Sequence, residues 1–176
     1  MTTTKITQCH LTPINLHEQN QYTTLHHQRI LCGWDSSISD LDGWKQKQVE
    51  GLKGFFWIMI PTEDKETLIN AGHISLDAYT DPADPDLARS DKSLLTIQNF
   101  FILPEYQSRG LGRQVMEVVE GMARREPHGD AHCQAITLTS LSKRYWYEEK
   151  HIRDRFGPGG PPYCNQEWYE RLGRRI

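Results

Sequence analysis

Residues 94–115 constrain the fold of this chain more than any other stretch: Leu-Leu-Thr-Ile-Gln-Asn-Phe-Phe-Ile-Leu-Pro-Glu-Tyr-Gln-Ser-Arg-Gly-Leu-Gly-Arg-Gln-Val. Leu94 to Leu103 is apolar and β-prone, and Pro104 stops it because proline has no N–H for a ladder. A turn with two glycines follows. From Leu111 to about Arg125 the spacing of Leu111, Val115, Val118 and Met122 predicts a helix with one apolar stripe. Strand, glycine turn and helix therefore come in direct succession. Backbone N–H groups at such a helix start, with the positive end of its dipole, favour a phosphate. Gly110 and Gly112 let the main chain approach it without a Cβ in the way, and Arg109 and Arg113 can add charge pairing. A plain glycine-bearing turn is the alternative.

Two common phosphate motifs fit poorly. A P-loop needs Gly-Lys-Ser/Thr, and none follows. A dinucleotide-binding turn wants a third glycine near position 115, which is Val.

The remaining elements are predicted from pattern. Lys5–Ile14 alternates loosely as a first strand. Leu16–Leu31 reads as a helix with Leu16, Tyr22, Leu25 and Ile30 inward, and Asp40–Gly54 as a second, capped by Asp40. Phe55–Ile60 is a buried strand ended by Pro61. Leu68–Tyr79 is another, with Gly72 as a bulge or close-approach position. Thr80–Ser93 is a long loop. Cys133–Leu138 is a strand, a helical segment around Tyr145 follows, Gly157–Pro162 is a breaker, and Gln166–Leu172 is helical. The order βααβββαβα is a mixed α/β (α+β) pattern in one domain, residues 1–176.

Composition excludes several classes. Twenty Lys+Arg against twenty-three Asp+Glu leave a net charge of −3, too little positive charge for a nucleic-acid-coating surface. The longest apolar run, Phe55–Ile60, is far short of a membrane helix of about 20 residues. The start, Met-Thr-Thr-Thr-Lys-Ile-Thr-Gln, has no apolar signal-peptide stretch. Cys9, Cys32, Cys133 and Cys164 lack Cys-x-x-Cys spacing and read as reduced thiols. A cytoplasmic protein without nucleic-acid or membrane partners is expected. His128, His132 and Cys133 lack a second ligand pair, so no metal is expected.

Gln107-Ser-Arg-Gly110-Leu-Gly112, set between a Pro-ended strand and an apolar helix, resembles the signature of the GNAT superfamily of N-acetyltransferases. The element order is compatible with it from about residue 5 to residue 173. Leu94–Asn99, Leu103–Gln107 and Asn165–Gly173 look most like fungal members. The resemblance implies a mainly antiparallel central sheet flanked by helices and acetyl-CoA as co-substrate. It also implies transfer of an acetyl group to a primary amine by direct attack in a ternary complex. Mapped onto this chain, Gln107, Ser108, Arg109, Gly110, Leu111, Gly112 and Arg113 surround the pyrophosphate. The backbones of Phe100 and Ile102 hold the pantetheine arm. A strand amide near Phe101 polarises the thioester carbonyl, and Cys133–Leu138 forms the opposite wall.

The resemblance further assigns Tyr169, in Trp168-Tyr169-Glu170-Arg171-Leu172-Gly173, as general acid for the departing thiolate. Arg174 stands where the family has an aromatic, and the family's terminal strand pair is expected to be shortened or absent. A homodimer that completes this sheet edge is one expectation. A non-catalytic acyl-CoA-binding module with an incomplete acceptor site is the competing function. Asp77 and Glu105 are the nearest candidates for a base, with a solvated surface acid as the alternative for each. His73 is a further candidate, against a hydrogen-bonded core histidine. Trp34, between the first two helices, lies where the family builds its acceptor site. The acceptor is a small-molecule amine or a peptide N-terminus. The acidic stretch 61–91 would attract a cation if it borders the site.

Overall fold

The computed structural model describes residues 8–62, 64, 66–140, 143–150, 154 and 164–173. The chain divides into two compact units, Met1–Thr137 and Leu138–Ile176. Lys5 and Ile6 of the expected first strand, the breaker 157–162 and Arg174 lie outside the described residues. No helix among the described residues is long and apolar enough to cross a membrane.

The first unit is built on a mainly antiparallel sheet. Its strands are β1 (His10–Pro13), β2 (Lys53–Pro61), β3 (Leu68–Asp77), β4 (Leu94–Ile97), β5 (Phe100–Ile102) and β6 (Ala135–Leu138). The order is β1-β2-β3-β4-β6, with β5 also paired to β3. Helices α1 (Gln19–Cys32) and α2 (Ile38–Val49) precede β2, and α3 (Leu111–Met122) follows β5. This is the α/β class expected from the sequence.

Strand alternation sorts the side chains onto two faces. Lys53, Phe55 and Trp57 of β2 stand opposite Asp77, Ser75 and His73 of β3. On this face Phe55 and Trp57 cluster with Ile14, Leu16 and Leu25, and Tyr22 of α1 and Trp44 of α2 pack against them. The other face carries Phe56, Ile58, Ile74 and Leu76, all buried. There Phe56 meets the His128 ring edge-on at 4.7 Å, in the turn after α3.

Local differences from the sequence reading have simple causes. In α1 the inward residues are Leu25, Gln28 and Arg29, while Ile30 is 55% exposed. Polar partners on β3 wait for Gln28 and Arg29, so the buried stripe of α1 is not purely apolar. α2 is capped by Ser37, not Asp40. The Ser37 hydroxyl accepts from Asp40 N, and the Asp40 carboxylate accepts from Ser37 N, which makes a capping box. In α3 the buried stripe is Leu111, Val115, Met116 and Val119, rotated slightly from the expected one.

Gly72 is both a bulge neighbour and a close-approach position, as expected. The β2–β3 register shifts between Ile58 and Met59, and Gly72 has φ +149°. A Cβ there would stand 2.1 Å from the Phe101 carbonyl oxygen.

The second unit, described by itself, contains α4 (Lys143–Glu148) and α5 (Asn165–Arg171). Cys164 Sγ caps α5 by accepting from Glu167 N at 3.4 Å. The Tyr147 hydroxyl donates to Glu167 Oε2 at 3.2 Å. The four cysteines are free thiols.

Candidate active site

The stretch that is one strand in the sequence is broken by a β-bulge. Asp77 pairs with Thr96, yet Ser75 N donates to Asn99 O at 2.8 Å. Two residues, Ile97 and Gln98, thus stand opposite the single Leu76. Beyond the bulge, β5 pairs His73 with Phe101, flanked by Ile74–Phe100 and Gly72–Ile102. Leu103 N donates to Ala71 O at 2.9 Å. Hydrogen-bonded and non-bonded pairs alternate in an antiparallel ladder, so 75/99, 73/101 and 71/103 are the bonded pairs. The main-chain groups of Phe100 and Ile102 are therefore directed away from β3. Phe101's own amide faces β3, so the strand amides near it that are directed away from β3 are those of Phe100 and Ile102.

A 3-10 turn, Pro104–Tyr106, follows β5. Gln107 Nε2 donates back to the Ile102 carbonyl at 2.8 Å, bracing the strand end against the turn. Ser108 takes φ +60° and Gly110 φ +79°, and Gly110 is the N-cap of α3. A left-handed cap at this point suits glycine, which has no Cβ to clash. No side chain caps α3, and its first turn holds no acidic residue. The positive end of the helix is thus presented by Leu111, Gly112 and Arg113, with Arg109 half-buried and Arg113 exposed beside it. These residues can hold a phosphate anion.

Behind the bulge lies a buried polar ring that the sequence reading did not find. Lys53 Nζ donates to Asp77 Oδ2 at 2.8 Å and to Asn99 Oδ1 at 2.9 Å. The Ser75 hydroxyl donates to Asp77 Oδ2 at 2.8 Å and accepts from Asn99 N at 3.1 Å. Lys53, Ser75, Asp77 and Asn99 are all buried. The rings of Phe55, Trp44 and Tyr79 surround the ammonium at 4.5, 5.1 and 5.6 Å. Burial raises the Asp77 pKa and lowers that of Lys53, and in each case the partner's opposite charge opposes the shift. Asp77 Oδ1 is buried with no hydrogen-bond partner among the described residues. Asp77 is thus not a solvated acid. Glu105, in the 3-10 turn, is exposed.

A second chain of polar contacts runs beside the ring. His73, 0% exposed, has Nδ1 at 2.7 Å from Gln28 Oε1, so Nδ1 carries the proton. Its Nε2 then accepts from Arg29 Nη1 at 3.4 Å. Burial first, then the Arg29 and Lys53 charges, hold the His73 pKa well below its ordinary value. His73 is therefore the hydrogen-bonded core histidine of the two readings. Arg29 Nη2 also donates to the Trp34 carbonyl at 2.5 Å and pairs with Asp35 at 3.3 Å. This fixes the α1–α2 turn, on which Trp34 stands 48% exposed.

Tyr169 belongs to the second unit. It is buried, its ring 4.8 Å from that of Trp168, and burial pushes its pKa up to about 12. His128 packs on Phe56 and His132 pairs with Asp130. Among the described residues no group of three His, Cys, Asp or Glu is placed to hold a metal.

The sequence could have disclosed the bulge. Gln98-Asn99 are two consecutive polar residues inside an apolar strand, which breaks the period of two. Lys53 offered no such signal, because its partners are 24 and 46 positions away.

Comparison with known proteins agrees with this architecture. No curated protein matches the sequence. A solved structure of a probable acetyltransferase superposes with a TM-score of 0.54 at 12% identity, over 97% of this chain and 91% of that one. YycN of Bacillus subtilis, a candidate acetyltransferase, gives a TM-score of 0.46 at 14% identity, covering 96% and 93%. A candidate acetyltransferase from Pyrococcus furiosus gives 0.49 at 13%, covering 96% and 94%. The first of these shows the shared fold. The family model described as the acetyltransferase (GNAT) family matches residues 20–148, which span the helices α1 to α3, the whole sheet from β2 onward and the glycine turn. The chain belongs to the GNAT family of acetyltransferases.

Proposed function

We propose that this protein is an acetyl-CoA-dependent N-acetyltransferase that transfers an acetyl group to a primary amine by direct attack within a ternary complex. We read both units as parts of one acetyltransferase domain. The observation that carries the proposal is the placement of two features in immediate succession. The main chain of Phe100 and Ile102 is turned away from β3, and eight residues after Ile102 Gly110 opens α3 without a side-chain cap.

In this reading the amides of Arg109–Arg113 hold the pyrophosphate, with Gln107 and Ser108 shaping the turn beneath it. Acetyl-CoA, when bound, supplies the activated acetyl thioester. The Ile102 carbonyl is already engaged by Gln107, so Ile102 offers its N–H to the pantetheine arm. The amides of Phe100 and Ile102 are also the donors directed to the side where carbonyl charge develops. Holding both reactants in line supplies much of the acceleration. Asp77 is committed to Lys53, so removal of the amine proton falls to Glu105 or to water. Tyr169 keeps its phenolic proton at neutral pH, as an acid for the departing thiolate must. Trp34, on the turn pinned by Arg29, contributes to the acceptor side. The acceptor is a small-molecule amine or a peptide N-terminus.

Release of free CoA thiol, measured across a panel of amines, tests the proposal. Thiol release with at least one amine supports it. Acetyl-CoA binding without release for any amine identifies an acyl-CoA-binding module instead, and no binding removes the acetyl-CoA site. Full turnover by Tyr169→Phe would remove Tyr169 as the acid.

A further inference from the structure

The bulge at Ile97–Gln98 is held by an unusual set of contacts. A bulge ordinarily leaves a main-chain group unpaired. Here Asn99 N–H, the first amide after the bulge, is taken by the Ser75 hydroxyl. That hydroxyl donates to Asp77, Asp77 accepts from Lys53, and Lys53 returns to the Asn99 side chain. The four hydrogen bonds close a ring that begins and ends on Asn99, and every member is buried. Phe100, the next residue, is the first after the bulge whose main chain is directed away from β3.

We propose that Lys53, Ser75, Asp77 and Asn99 act as a positioning clamp that sets the peptide geometry of the β4–β5 bulge and thereby the pantetheine-facing main chain of Phe100. The inference rests on the acetyl-CoA reading given above. None of the four touches the co-substrate in this account; they act through the backbone. A buried ion pair is an expensive way to gain stability, since apolar residues of similar volume are often as good. Its retention at this place is accounted for by geometry, because Lys53 is the member that ties the Asn99 side chain to Asp77. On the same face Arg29 bonds His73 and braces the α1–α2 turn.

The test compares two ligands by calorimetry on the full chain. One is acetyl-CoA. The other is 3′-phosphoadenosine 5′-diphosphate, which carries the nucleotide and pyrophosphate of CoA but no arm. Ser75→Ala and Asn99→Ala should weaken acetyl-CoA about tenfold while changing the nucleotide by less than about twofold. Ser75→Thr, which keeps the hydroxyl, should restore most of the acetyl-CoA affinity. A general loosening of the fold would not separate the ligands. If Asn99→Ala fails to fold, Ser75→Ala, which lacks a single oxygen, carries the same comparison. Equal losses for both ligands, or no loss for either, overturn the clamp. Wild-type protein that binds neither ligand overturns the acetyl-CoA reading and the clamp with it; wild-type binding with unchanged variants overturns the clamp alone.

Discussion

The Lys53 ammonium stands 2.8 Å from the Asp77 carboxylate, and neither side chain is exposed to solvent. Removing one member leaves the other as an uncompensated buried charge. Lys53→Met should therefore destabilise the protein by about 3–5 kcal/mol. Lys53→Met combined with Asp77→Asn should lose less than Lys53→Met alone, because no bare charge is then buried. Urea unfolding of the three proteins measures the difference. A double variant no better than the single one would mean that the charge pair does not govern stability here.

His73 gives the protein an acid-sensitive component. Its folded pKa lies below the ordinary value of 6.5, so the unfolded chain takes up a proton that the folded chain refuses. The unfolded state then binds more protons, and stability rises with pH in that window. Its contribution is fully present above about pH 6.5 and declines as pH falls toward the depressed folded value, by at most about 1.4 kcal/mol per pH unit. His73→Gln should flatten this slope. Urea midpoints at pH 7.0 and 5.5 check it, and parallel slopes in both proteins would exclude His73 as the source.

Two glycines should respond oppositely to alanine. At Gly72 a Cβ would collide with the Phe101 carbonyl oxygen at 2.1 Å, and φ is +149°. Gly72→Ala should cost at least about 2 kcal/mol. At Gly121, inside α3, an added Cβ meets nothing within 4 Å. Gly121→Ala should stabilise the protein by about 0.5–1 kcal/mol through helix propensity and a less flexible unfolded chain. Thermal melts of both variants provide the comparison.

Gly110 caps α3 in the left-handed region, at the end proposed to receive the pyrophosphate. Gly110→Glu brings a carboxylate and a strained backbone to that place. Acetyl-CoA affinity should fall at least about a hundredfold, from like-charge repulsion in a site arranged for an anion. Calorimetry with a folded variant that binds as the wild type does would move the site elsewhere.

Much of the fold is legible in the sequence where periodicity is strong. The apolar run at 55–60, the strand at 68–77 and the stripe of α3 follow from local pattern, and the glycine turn declares its own backbone. The buried ring is a different matter. Lys53 falls inside the helix expected over Asp40–Gly54, so its side chain has no evident face. Only the pairing of Lys53 with Asp77 across β2 and β3 turns both charges inward. Similarly, Gln28 and Arg29 look like the polar side of α1 until β3 supplies His73 and Asn70 as partners. Local pattern registers hydrophobic faces; it has no means of registering a polar face that is buried because a distant strand satisfies it. Ser37 is another case, since Asp40 is also an acceptable cap and only the loop conformation decides which residue precedes the helix.

The extra residue at Ile97–Gln98 makes pairing register, more than residue identity, the sensitive variable in this part of the chain. Every side chain from Asn99 to Ile102 is displayed in antiphase to the count set by Leu94–Thr96. Closing the ladder into one unbroken register with both residues kept would set Phe100 opposite His73, sending Phe101 to the face now held by Phe100 and Ile102 and turning their outward amides into ordinary rungs. Substitutions that alter size or charge there can be absorbed locally. A slip of register cannot, because it rewrites the facing of the whole segment that leads into the glycine turn.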